Sequence, residues 1–149
     1  MIGSRNARAL LIATVAAVIV GCSGPAPKPP AFAAEAHPAE TLNPLVEQEI
    51  PNAPGKTFTS AIVTFPPGAR AVAHRHGDAF VYAYVLEGAV NSQLEGQSAH
   101  VYHRGENWTE QPGAHHLTTE NVSQTDEAKL MVVFIATTGA QLKIDDPHG

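Results

Sequence analysis

Beyond residue 56 the chain alternates short apolar runs with turn-forming residues. Residues 57–65 are β-branched and apolar, and stop at Pro66-Pro67-Gly68. Residues 71–75 and 79–86 follow, the second run ending at Glu87-Gly88, and then residues 90–94. Glu95-Gly96-Gln97 reads as a hairpin turn into residues 100–103. Residues 108–111 meet Pro112-Gly113, residues 116–119 come next, and residues 130–137 form a strongly apolar run. Residues 142–144 are placed to close a sheet. No stretch after residue 41 sustains the 3.6-residue spacing of an amphipathic helix. Short strands at this spacing predict an all-β sandwich or barrel with jelly-roll character, beginning near Leu42 or Leu45.

The N-terminal part has a different pattern. Arg5 and Arg8 precede an apolar run over residues 9–20, too short for a comfortable membrane span. The run ends at Ile19-Val20-Gly21-Cys22, which resembles a bacterial lipobox. Residues 1–22 are therefore read as a lipoprotein signal peptide, with Cys22 as the lipidated residue. Residues 23–40 are rich in Pro and Ala and read as a flexible linker. Residues 41–149 are the domain. This predicts a protein held at the cell envelope through a lipid anchor in the membrane. In a Gram-negative cell, Ser23 in place of Asp favours the outer membrane and its periplasmic face.

Charge removes one class of partner. The net charge is −5, and the nine Lys and Arg residues are scattered, so no basic surface for nucleic acid is expected. Cys22 is the single cysteine, which excludes an intramolecular disulfide. No Gly-x-Ser-x-Gly elbow or phosphate-cradling glycine loop is present.

The candidate chemistry lies in histidines. His74 and His76 are two apart, so on a strand they share a face and Arg75 takes the other. The second Pro-Gly turn leads into Ala114-His115-His116. These two histidines must point to opposite faces, and a one-residue slip in register would exchange them. His100 and His103, three apart, face opposite sides of a strand and read as surface residues. Tyr82 and Tyr84 share a face away from Val81, Ala83 and Val85. Trp108 fits either the core or a barrel mouth. Glu106, Glu110 and Glu120 are candidate fourth ligands or bases, and no spacing rule selects one.

Gly68, His74, His76 and Gly88, followed by Gly105, Gly113 and His116, resemble in order and spacing the two motifs of the cupin superfamily. The resemblance covers residues 68–120 and is similar to small single-domain bacterial cupins. It departs at three places. Val81, or Phe80 by the shorter spacing, stands where the first motif carries a Glu ligand. Gln111 replaces a Pro. Glu120 replaces an Asn, with Asn121 one residue later. The resemblance implies a single cupin jelly-roll β-barrel. It implies one divalent metal ion (Fe, Zn, Mn, Ni or Cu) held by His74, His76 and His116, with His115 and Asp78 as alternative ligands. Asp78 is the candidate stand-in for the missing Glu. The activity implied is oxygenase-type or isomerase-type chemistry on a small oxygenated molecule. The alternative is a non-catalytic module that binds or senses a metal or small ligand. No catalytic acid or base is singled out. Pairing through an edge strand would give a homodimer.

Overall fold

A computed structural model describes residues 38–147. The segment read as a signal peptide, Cys22 and residues 23–37 of the stretch read as a linker lie outside the described residues. Ten strands and no helix are found among those described. They are β1 (Thr41–Glu49), β2 (Lys56–Phe65), β3 (His74–Arg75), β4 (Phe80–Glu87), β5 (Ala89–Leu94), β6 (His100–His103), β7 (Asn107–Glu110), β8 (His115–Asn121), β9 (Ala128–Thr137) and β10 (Ile144–Asp145). They form two five-stranded antiparallel sheets, ordered β1-β2-β9-β4-β7 and β10-β3-β8-β5-β6.

Alternation along each strand decides what fills the space between the sheets. On β4, Val81, Ala83 and Val85 are buried while Tyr82 and Tyr84 are only half-buried, the two-residue period of a strand with one face inward. On β9, Leu130, Val132, Phe134 and Ala136 are buried by the same rule. Phe65, Val81, Val85 and Val90 are the largest fully buried side chains. Each contributes about 1.5–3 kcal/mol by leaving water. The turn from β4 into β5 depends on Gly88. Its φ is 70°, and a Cβ there would lie 3.0 Å from the Glu127 carbonyl oxygen, so only glycine fits without rearrangement.

Three elements differ from the sequence reading. Strand β1 was not foreseen, because Pro44 interrupts its pattern and no face of it is buried. It is an edge strand with a register shift between Pro44 and Val46, where proline is tolerated. The run at residues 71–75 contracts to the two residues of β3, with Ala71 still donating to the Thr119 carbonyl and Arg70 bridging Glu120. The closing strand falls at Ile144–Asp145, two residues beyond the start of the predicted run.

Asn121 accounts for the departure at the end of the second motif. It is buried, with Nδ2 within 3.1 Å of the carbonyls of Phe65, Pro66 and Asp126, while Oδ1 accepts from the Ser123 amide. Glu120 points the other way, to Arg70 and Asn91. The anchoring amide is present, displaced by one residue.

Candidate metal centre

The antiparallel pairing of β3 with β8 sets His74 directly opposite His116, and Arg75 opposite His115. Directly opposed residues share a face, so this register selects His116 over His115. His74, His76 and His116 are all buried, and one ligand atom from each lies within 4.8 Å of the others. The rings of His74 and His76 are 4.7 Å apart between centroids, and those of His74 and His116 are 5.1 Å apart.

Hydrogen bonding fixes two of the tautomers. His74 Nδ1 lies 2.6 Å from the Val72 carbonyl oxygen, and His76 Nδ1 lies 2.5 Å from that of Leu142. A carbonyl can only accept, so both Nδ1 atoms carry the proton. Both Nε2 atoms therefore present lone pairs. His116 Nε2 is held by the hydroxyls of Ser92 (2.8 Å) and Thr119 (2.9 Å), both buried.

A fourth group enters from the opposite sheet. Alternation along β7 turns Trp108 and Glu110 inward while Asn107 and Thr109 stay exposed. Glu110 is only 2% exposed. Its Oε1 accepts from Trp108 Nε1 at 3.1 Å and lies 3.1 Å from His116 Nδ1, which makes no aligned hydrogen bond. Its Oε2 has no hydrogen-bond partner and lies 3.6 Å from His76 Nε2.

Burial pushes the His74 pKa down to about 4 from 6.5, outweighing the Val72 carbonyl. Burial also lowers His76, against the pull of Glu110. Burial by itself would raise Glu110. The close approach and charge of His116, the charge of His76 and the Trp108 N–H outweigh that and hold it below the ordinary carboxylate range. Near pH 7 the centre therefore holds neutral His74 and His76 and an ionised carboxylate. Two imidazole lone pairs and a partnerless carboxylate oxygen converge there, and a buried charged group without a donor costs more than the ~1–3 kcal/mol of a neutral one. These are the electron-pair donors a divalent cation needs, so the residues fit a bound metal.

The centre forms part of the wall of a cavity of about 310 Å³. The rest of that wall is largely apolar and includes Phe65, Val81, Leu130, Val132 and Phe134. Lys143 and Glu40 also line it, joined at 2.8 Å.

The two alternative ligands read from the sequence lie elsewhere. His115 faces away from the cluster, with Nε2 2.8 Å from Asp146 and Nδ1 3.7 Å from Glu95, as the β3–β8 register requires. Asp78 is on the surface beyond β3. It bonds Lys56 Nζ (3.1 Å) and the Thr137 backbone amide and hydroxyl, so it is not the stand-in carboxylate. Glu106 accepts from the His103 amide, and Glu120 pairs with Arg70. The sequence reading did not single out Glu110, Ser92 or Thr119. The signal for Glu110 was its two-residue spacing from Trp108.

An all-β fold of two facing antiparallel sheets, enclosing histidines from two paired strands, is a barrel with an internal candidate metal centre. Residues 61–134 match the family described as "Cupin domain", and the described residues have the cupin fold. No curated protein matches the chain. Several solved structures share the fold. An uncharacterized conserved protein with a double-stranded β-helix domain from Klebsiella pneumoniae is similar with a TM-score of 0.57 and 14% identity, over 78% of this chain and 92% of that one. The Cnp3 cupin domain of Schizosaccharomyces pombe is similar with a TM-score of 0.56 and 15% identity, over 66% of this chain and 61% of that one. An oxalate oxidase in complex with the substrate analogue glycolate is similar with a TM-score of 0.55 and 21% identity, over 71% of this chain and 54% of that one. The matched part thus spans less than two thirds of the last two chains, and at these identities the likeness is one of fold.

Proposed function

We propose that this cupin binds one divalent metal through His74, His76 and His116 and acts on a small oxygenated molecule held in the cavity, by oxygenase-type or isomerase-type chemistry. The observation that carries this reading is the convergence of fixed imidazole lone pairs on a buried point in the cavity wall. A bound metal supplies Lewis acidity and, if it is iron, a means of activating O2. The protein's own residues do the rest. The Val72 and Leu142 carbonyls hold His74 and His76 in the ligating tautomer. Ser92 and Thr119 hold the ring of His116. Val81, Val132 and Phe134 keep the lining apolar, which limits water and favours a substrate with a hydrocarbon body. A cavity of about 310 Å³ is at the small end of ligand pockets.

A second reading, binding or sensing without turnover, is favoured by one observation. Among the described residues, Glu110 is the one carboxylate in contact with the histidine cluster, and Lys143 is already paired with Glu40 and Asp145. That leaves few groups free to move protons. Elemental analysis of the purified full chain beside a His74→Ala/His116→Ala variant tests the site. Near-stoichiometric metal in the first and none in the second is expected. Absence of metal from both, after reconstitution with several divalent ions, overturns it. Oxygen uptake or product formation with small carboxylic and hydroxy acids then separates turnover from binding.

The envelope location is proposed from sequence alone, on the Ile19-Val20-Gly21-Cys22 segment. Cys22→Ser is expected to move the protein from the membrane to the soluble fraction. An unchanged distribution overturns the anchor.

A further inference from the structure

We propose that Glu110 is an acidic metal ligand of this cupin, supplied from β7 across the sheet from Val81. The inference rests on the reading of the three histidines as a metal centre and extends it to a donor from the other sheet.

Register comes first. On the β4–β7 ladder Val81 pairs directly with Glu110, so both side chains leave the same face and enter the same interior. Val81 is the position where the cupin pattern places a carboxylate, and here it is apolar and 1% exposed. The acid is one strand over, at the same level of the barrel.

The hydrogen bonds then separate a ligand from a mere support. A carboxylate that only orients a histidine should accept a well-aligned N–H from it. Glu110 does not meet that description. Oε1 is already used by Trp108 Nε1, and His116 Nδ1 approaches without alignment. Oε2 is buried with no donor, and its imidazole neighbour at 3.6 Å, His76 Nε2, presents a lone pair because its Nδ1 proton goes to Leu142. Two electron-pair donors facing each other in a buried site repel one another, and a metal cation between them relieves that repulsion.

The consequence is a choice of metal. Three neutral imidazoles leave a dication with its full charge, whereas Glu110 cancels one unit. It also adds a hard oxygen donor, which moves the set toward Mn(II) and Fe(II) and away from ions that prefer purely soft ligands.

The test is titration of the metal-free full chain with Co(II), read by its visible ligand-field spectrum, and with Mn(II), read by affinity. Wild type, Glu110→Gln, Glu110→Asp and His74→Ala are compared. Glu110→Gln keeps the acceptor for Trp108 but not the charge. It is expected to lower Mn(II) affinity by at least about 100-fold, the upper end of what an outer support costs. It should also change the Co(II) spectrum. Wild-type affinity and spectrum in Glu110→Gln, with binding lost in His74→Ala, overturn the role of Glu110 and leave the histidine centre standing. No Co(II) uptake by wild type overturns both. Glu110→Asp retains the charge and withdraws the oxygens by one methylene, so it serves if the Gln variant fails to fold. A ligand role predicts a shifted Co(II) spectrum there, and an unshifted one counts against it.

Discussion

His115 and His116 are neighbours in the chain with opposite surroundings. His116 is 2% exposed, lies opposite His74 and is held by two buried hydroxyls. His115 lies opposite Arg75 and pairs with Asp146 on the outer side of the same sheet. The residue type is identical, so the difference comes from strand parity. One step along β8 exchanges a residue of the centre for one hydrogen-bonded to Asp146 on the other face. The chemistry of the site is therefore as secure as the register of β3 on β8, which the pairs His74–His116 and Arg75–His115 define and the Arg70–Glu120 bridge continues in step.

The sharpest way to break the comparison is to remove each histidine in turn. His116→Ala is expected to lower metal affinity by more than about 100-fold, beyond the cost of losing an outer support. His115→Ala should leave uptake unchanged. Competition with a coloured chelator reads both. If the two variants behave alike, or in the reverse order, the register is wrong.

Protonation offers a second test of the same asymmetry, in the metal-free protein. His74 has a folded pKa of about 4 against 6.5 when exposed. As pH falls, the unfolded chain takes up the proton first. Stability is therefore complete above pH 6.5 and is lost progressively down to about pH 4, by about 3 kcal/mol for His74 alone. His76 is lowered as well and adds in the same direction. Urea unfolding at several pH values should show this slope, and His74→Gln should flatten it. Superimposable slopes for the two proteins would falsify the assignment of a buried neutral His74.

The legibility of the sequence follows from the same geometry. The turns at Gly68, Gly88, Gly105 and Gly113 and the two-residue spacing of His74 and His76 are local features, and local features survive in one dimension. The strands with a buried face, β2, β4, β5 and β9, were readable because alternation shows burial. Strand β1 was not, because it is exposed along its whole length and carries no such signal. In sequence Glu110 is one of three equivalent acids, with Glu106 and Glu120. What distinguishes it is its pairing with Val81, and cross-strand pairing is a property of the folded sheet. Asp78 is the acid nearest His76 in sequence. Its backbone leaves β3 through the turn at Gly77 and delivers the carboxylate to Lys56 and Thr137 instead.

The hydroxyls behind His116 give a smaller effect. Ser92→Ala removes one of the two groups on Nε2 and leaves Thr119. About tenfold weaker metal binding is expected, the lower end for an outer support, with the fold intact. Ser92→Ala/Thr119→Val should lose more than the sum of the two singles, because in each single variant the remaining hydroxyl still holds the ring in part. Additive losses would mean that each has a separate role.

The smallest effect belongs to the outer histidine. Asp146 is 39% exposed and lies 2.8 Å from His115 Nε2, so this is a solvent-facing pair. Such pairs contribute about 0–1 kcal/mol and weaken with salt. Asp146→Asn should change stability by less than about 1 kcal/mol and leave metal uptake as it was. The result is informative because of where Asp146 sits. Its neighbour Asp145 pairs with His74 on the β10–β3 ladder, and the Asp146 amide donates to the Ala73 carbonyl at 2.8 Å. If the variant lost metal, the outer His115–Asp146 hydrogen bond would be holding β10, and through it His74, in place. The two faces of the sheet would then be coupled through the two residues of β10. Retained uptake would show that the backbone ladder alone sets the position of His74.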